Sequence, residues 1–162
     1  MRGQKANLLL LVLMGSVFAT PAAAQDSNLD SDIQVLRSNI RADRAKLISD
    51  NMKLSDAEAK AFWPVYQNYE TDLAKLNDKK VELIKEYDDS YDQMTDEQAK
   101  SLTDRNLAIE KQRIALKEDY FRRFSKAVPA KTAARFMQID NRIDLLLNVQ
   151  LASAIPIVEN TK

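Results

Sequence analysis

The chain has no cysteine, no histidine and only two glycines in 162 residues, and these shortages exclude more than any motif it holds. Both glycines, Gly3 and Gly15, lie near the N-terminus, so everything from residue 16 onward is glycine-free. Phosphate-cradling loops, dinucleotide-binding turns and nucleophile elbows all need backbone freedom or close approaches that a Cβ forbids. Tight primed hairpin turns are disfavoured for the same reason, which argues against a β-rich fold. Without His or Cys there is no Ser-His-Asp or Cys-His nucleophile pair and no ordinary zinc site. No disulfide can form, so packing alone must stabilise the fold. The 24 basic and 24 acidic residues balance, which gives no electrostatic reason to bind nucleic acid. Composition points away from an enzyme and from a resident cofactor.

What is present begins with a leader. Arg2 and Lys5 form a charged start, Leu8 to Phe18 is an apolar run too short to span a bilayer, and Ala22-Ala23-Ala24 supplies small residues for a signal peptidase. The expectation is a signal peptide over 1–24, cleaved before Gln25, with an uncleaved anchor as the alternative. The remaining 25–162 then forms one domain. Losing Arg2 and Lys5 leaves 22 basic against 24 acidic residues, a net charge of −2.

Abundant Ala, Leu, Lys, Glu and Arg without glycine predict long amphipathic helices, and four fit the pattern. The first spans Asp30 to Asn51, with Ile33, Leu36, Ile40 and Leu47 along one stripe and Asn51 as C-cap. The second opens on a capping box, Ser55 with Glu58. From there Phe62, Tyr66, Tyr69, Leu73, Leu76, Leu83 and Tyr87 recur at heptad spacing, skipping Lys80. Pro64 interrupts this helix and should kink it. The third opens on a second box, Thr95 with Gln98, and Leu54–Lys60 aligns with Met94–Lys100 at an offset of 40. Either a duplication or a shared good cap accounts for that match.

The third helix carries two apolar stripes on roughly opposite sides. One is Leu102, Ile109, Leu116, Tyr120 and Phe124; the other is Leu107, Ile114, Phe121 and Val128. Glu118–Arg122 and Asp119–Arg123 are spaced to pair along it. The fourth helix starts near Pro129 and presents Phe136, Ile139, Ile143 and Leu146, and the apolar tail Ile155–Val158 is expected to pack back on the helices. A short link at Ser90 to Thr95 makes the second and third helices a long antiparallel hairpin. Such a hairpin cannot bury two stripes by itself, so a homodimer is expected.

Leu54-Ser55-x-x-Glu58, and Val128-Pro129-Ala130-Lys131-Thr132 running into Arg135-Phe136, resemble the paired motifs of the Spy/CpxP-like (LTxxQ-motif) periplasmic stress proteins. The resemblance covers most of 25–162. It implies a curved, dimeric, all-α cradle in the periplasm that holds unfolded proteins without ATP. Alternatively it implies a regulatory module that binds the periplasmic domain of a membrane sensor kinase. Metal-resistance relatives of similar shape bind metal largely through His, which this chain lacks, so metal sensing is not expected.

Phe62-Trp63-Pro64-Val65-Tyr66 is the most distinctive segment, and Trp63 and Val65 are candidate partner contacts. The competing reading has Trp63 filling the space beside Pro64. Arg122, Arg123, Lys126, Lys131 and Arg135 form a second candidate contact at the corner between the third and fourth helices, against the reading of a solvated charged corner. The acidic run from Asp88 fails as a calcium loop, because its sixth position is Gln93 and its twelfth is Ala99. These residues make a binding protein the leading expectation.

Overall fold

A computed structural model describes residues 42–158, and all regular structure among them is helical. The expected leader over 1–24, the expected cut before Gln25, and Ile33, Leu36 and Ile40 of the expected first helix lie outside the described residues. Helix α1 is described from 42 to 52. It is followed by α2 (Asp56–Ser90), a 3-10 turn at Tyr91–Gln93, α3 (Asp96–Ala127) and α4 (Ala130–Ala154). The protein is all-α, as its composition predicts.

Both capping boxes form. The Ser55 hydroxyl accepts from the Glu58 N–H while the Glu58 carboxylate accepts from the Ser55 N–H at 3.0 Å. Thr95 and Gln98 repeat the exchange at the start of α3, with the Thr95 N–H donating to the Gln98 side chain at 2.9 Å. The resulting helices hold 35 and 32 residues, roughly 50 Å each at 1.5 Å per residue. The α2 helix continues through Pro64. Its cross-strut partners descend α2 as they ascend towards the start of α3 in reverse order. Asp72 accepts from Tyr120 at 2.7 Å, Asn77 from Arg113 at 2.9 Å and Glu86 from Arg105 at 2.5 Å. That order is an antiparallel hairpin in constant register. Helix α4 returns antiparallel along α3, with Lys117 reaching Asn141 at 2.7 Å and the Phe124 and Phe136 rings tilted together with centroids 4.4 Å apart.

The core divides along the hairpin. At the base, where α2 begins and α3 ends, Phe62, Tyr66, Tyr69, Tyr120, Phe124 and Phe136 form one aromatic cluster backed by Ile48, Met52 and Leu73. Aromatic pairs at these separations add about 0.5–1.5 kcal/mol each beyond the area they bury. Towards the tip the core thins to Leu83, Leu102 and Ile109, with Tyr87 and Met94 beside them. Lys80 takes the seam position between these two regions and donates to Asn106 and to Glu110.

Four expectations need correction. Leu47 is 46% exposed, and α1 instead buries Arg44, Ile48 and Met52. Leu146 is 65% exposed, because the inward face of α4 runs Ala133, Phe136, Asp140, Ile143 and Leu147. In both helices the buried stripe passes through a charged residue, Arg44 or Asp140, which an apolar periodicity skips. Asn51 does not end α1 as a left-handed cap: its amide donates to the Leu47 carbonyl at 2.8 Å, and Lys53, at φ 51°, is the left-handed residue. Arg122 pairs with Asp119 at 3.4 Å in place of Glu118, since Asp119 lies between it and Arg123, which it also holds at 2.7 Å.

The second stripe of α3 is not sandwiched among the described residues. Val128 is buried, but Leu107, Ile114 and Phe121 face outward, Ile114 with 61% of its surface exposed.

Candidate functional site

The densest polar constellation is an ion cluster buried where all four helices meet. Arg44, from α1, is 4% exposed and Asp140, from α4, is fully buried. The Arg44 guanidinium donates to Asp140 and, at 3.0 Å, to Asp144. Its Nε lies 3.1 Å from Glu70 Oε1, an ion-pair distance at which neither atom is aligned for a hydrogen bond. From α3, Lys117 reaches Asp140 at 3.0 Å and Asp144 at 2.6 Å. The Tyr69 hydroxyl completes the set by donating to Asp140 at 2.8 Å. Asp140 thus meets partners from three elements at once, two by hydrogen bond and one by ion pair.

The electrostatics follow from the geometry. Burial favours loss of the Arg44 proton, but Asp140 and Asp144 outweigh it and hold the guanidinium above its ordinary pKa. For Asp144 burial pushes the pKa up, yet Arg44 and Lys117 together pull it below the usual aspartate value. Burial and then Asp140 push Tyr69 up, and burial and then Glu70 do the same for Tyr66. Every acidic member of the cluster faces a cation or a hydroxyl donor. Such an arrangement orients helices against one another, since breaking one partner leaves buried charge uncompensated.

A second polar joint was missed from the sequence. Thr132 donates to Glu58 Oε1 at 2.7 Å, so the acid of the first capping box also anchors the start of α4. Glutamine in its place would offer one acceptor oxygen where the carboxylate offers two. The signal was legible in the use of Glu at 58 and Gln at 98.

The expected contact residues separate into two environments. Trp63 and Val65 are half-buried against the base cluster, with the Trp63 ring edge-on to Phe62 at 5.2 Å and to Tyr66 at 5.4 Å. Of the basic corner, Arg135 donates through Nε to the Asn51 carbonyl at 2.8 Å and so caps α1. Arg123 lies over the Tyr120 ring at 4.6 Å while pairing with Asp119. Arg122, Lys126 and Lys131 are exposed.

Two apolar surfaces remain on the outside. Leu107, Ile114 and Phe121 recur every seven residues along α3, and Leu145, Leu146 and Val149 occupy one side of α4. At the tip, a groove of about 240 Å³ runs between α2 and α3 beside the tail. A wider depression of about 570 Å³ at the same end is lined only by polar and charged side chains. No family model matches the chain, and no curated protein or solved structure is significantly similar to it.

Proposed function

We propose that the protein is an exported, periplasmic holdase that captures partly unfolded proteins without ATP and works as a homodimer. The observation that carries this reading is the outward-facing apolar surface on α3 and α4, where large aliphatic and aromatic side chains alternate with charge. Surfaces of that kind mark interaction sites when they are contiguous and rimmed by polar residues. The resemblance to the LTxxQ-motif family supports the same class.

The two faces divide the work. On α3, Lys111 and Glu118 are exposed and neither has an ion-pair partner among the described residues. A two-fold axis crossing α3 between Ile114 and Ala115 sets Lys111 of one copy against Glu118 of the other, twice. The same axis lays Phe121 over Ala108, large over small, so this stripe fits a second copy of itself. The α4 face, with Leu145, Leu146 and Val149, is left for clients, and Arg122, Lys126 and Lys131 supply charge at the corner.

The test is light scattering of an aggregating client with and without residues 25–162, in the absence of nucleotide. Suppression at near-stoichiometric dimer supports the reading, and Leu146→Ser with Val149→Ser should remove at least half of it while leaving helicity intact. These exposed positions separate binding from folding better than Trp63, whose loss would also disturb the base cluster. No suppression at several-fold excess overturns the holdase and favours the regulator that binds one membrane sensor.

A further inference from the structure

The tip of the hairpin holds the chain's own tail in a way that describes a binding site. Helix α4 ends at Ala154, and Ile155 leaves it extended, at φ −94° and ψ 120°, as the residue before a proline prefers. Two tyrosines one helical turn apart on the α2 end then take two successive backbone carbonyls. The Tyr87 hydroxyl donates to Pro156 O at 2.7 Å and the Tyr91 hydroxyl to Ile157 O at 2.8 Å. Their rings sit 5.7 Å apart, so the pair forms one clamp. Bonds to main-chain carbonyls read an extended backbone and not its side chains, which is how peptide grooves accept varied sequences.

The side chains of the tail fill the groove poorly. Ile155 and Val158 border it, opposite Leu83, Ile84, Met94 and Leu102. Yet Val158 is 45% exposed, Ile157 is 89% exposed, and about 240 Å³ stays open beside them. That space is several times the ~30 Å³ share of one water molecule. A bulkier apolar segment held by the same two hydroxyls would bury more surface than the tail does.

We propose that this groove binds extended apolar peptide segments of partner proteins, and that residues 155–158 occupy it as a tethered competitor. The inference rests on the protein-binding reading above for the identity of the partner, and it adds a second site to the α4 face. A short tether presents the tail at an effective concentration in the millimolar range, so a free segment must outcompete it.

The experiment uses the full chain from residue 25 with Ile155→Asp and Val158→Asp, which place charge against the apolar wall and release the tail. The probe is a fluorescein-labelled peptide of residues 153–160, read by fluorescence anisotropy, with circular dichroism confirming unchanged helicity. Released chain should bind the peptide about tenfold tighter than the unaltered chain does. Adding Tyr87→Phe and Tyr91→Phe should weaken that binding by about fivefold per hydroxyl. A peptide carrying Phe in place of Val158 should bind tighter than the native one. Equal binding to released and unaltered chains overturns the proposal, as does binding indifferent to the two tyrosines. If only the native tail sequence binds, the groove is a clasp for this chain alone and the proposal fails. Peptide binding without suppression of client aggregation would keep the groove and remove the holdase.

Discussion

Asp140 is the residue on which the four described helices agree, since it accepts from Arg44 of α1 and Tyr69 of α2 and forms an ion pair with Lys117 of α3. Replacing Arg44 with Ala leaves Asp140 and Asp144 with Lys117 as the cation they share, and should destabilise the fold by about 3–5 kcal/mol in urea titration. Asp140→Ala should cost less, because Arg44 keeps Asp144 at 3.0 Å and Glu70 at 3.1 Å. The double variant should lose clearly less than the sum of the two, because each single change already breaks their shared contact. Protonation offers a second probe. The folded-state pKa of Asp144 is depressed, so its contribution is present above the ordinary value of 3.8 and is lost as pH falls through the lower, folded value. At the other end, burial and then Asp72 push Tyr120 up to about 12, so its contribution is intact below the ordinary 10.0 and lost as pH rises through about 12. With no histidine in the chain, no side chain of ordinary pKa titrates between about pH 5 and 8. The melting temperature should therefore be flat across that interval and fall on both sides, with the alkaline fall tracking phenolate absorbance.

At the scale of elements, the two capping boxes sit at opposite ends of the hairpin, roughly 50 Å apart by helix length. Ser55→Ala and Thr95→Ala should each cost about 1 kcal/mol and should add without coupling, as measured by thermal unfolding of the single and double variants. Glu58→Gln should cost more than Gln98→Glu, since only Glu58 also holds Thr132. These caps, the hairpin and the seam of α2 were legible because they rest on local spacing and on residues with one structural preference. The stripes of α1 and α4 were not, because their seam positions carry Arg44 and Asp140. A charge at a core position reads as solvent-facing until its partner is known, and that partner is 96 residues away in sequence. The tyrosine clamp on the tail escaped for the same reason: Tyr87 reads as the last apolar step of a heptad, and only the fold shows its hydroxyl meeting Pro156. Of the expected contact residues, Arg135 was the least readable, since its role depends on where α1 ends.

Across the whole described unit, the proposed dimer has its seam on the α3 outer stripe. Ile114→Asp places charge at the centre of that stripe, and sedimentation should then show a monomer of unchanged helicity where the unaltered chain shows a concentration-dependent dimer. The uneven core has a consequence in time as well as in energy. The base holds six interlocking rings, whereas the tip relies on Leu83, Leu102 and Ile109. Amide exchange should accordingly be fastest through local opening near residues 85–103 and slowest around Phe62, Phe124 and Phe136. Trp63, the single tryptophan of the chain, lies against that slow end. Its emission is therefore a clock for the base alone. On heating, the far-ultraviolet signal should begin to fall before the fluorescence moves, and the interval between the two onsets is the temperature range over which a molecule open at one end and still folded at the other is populated.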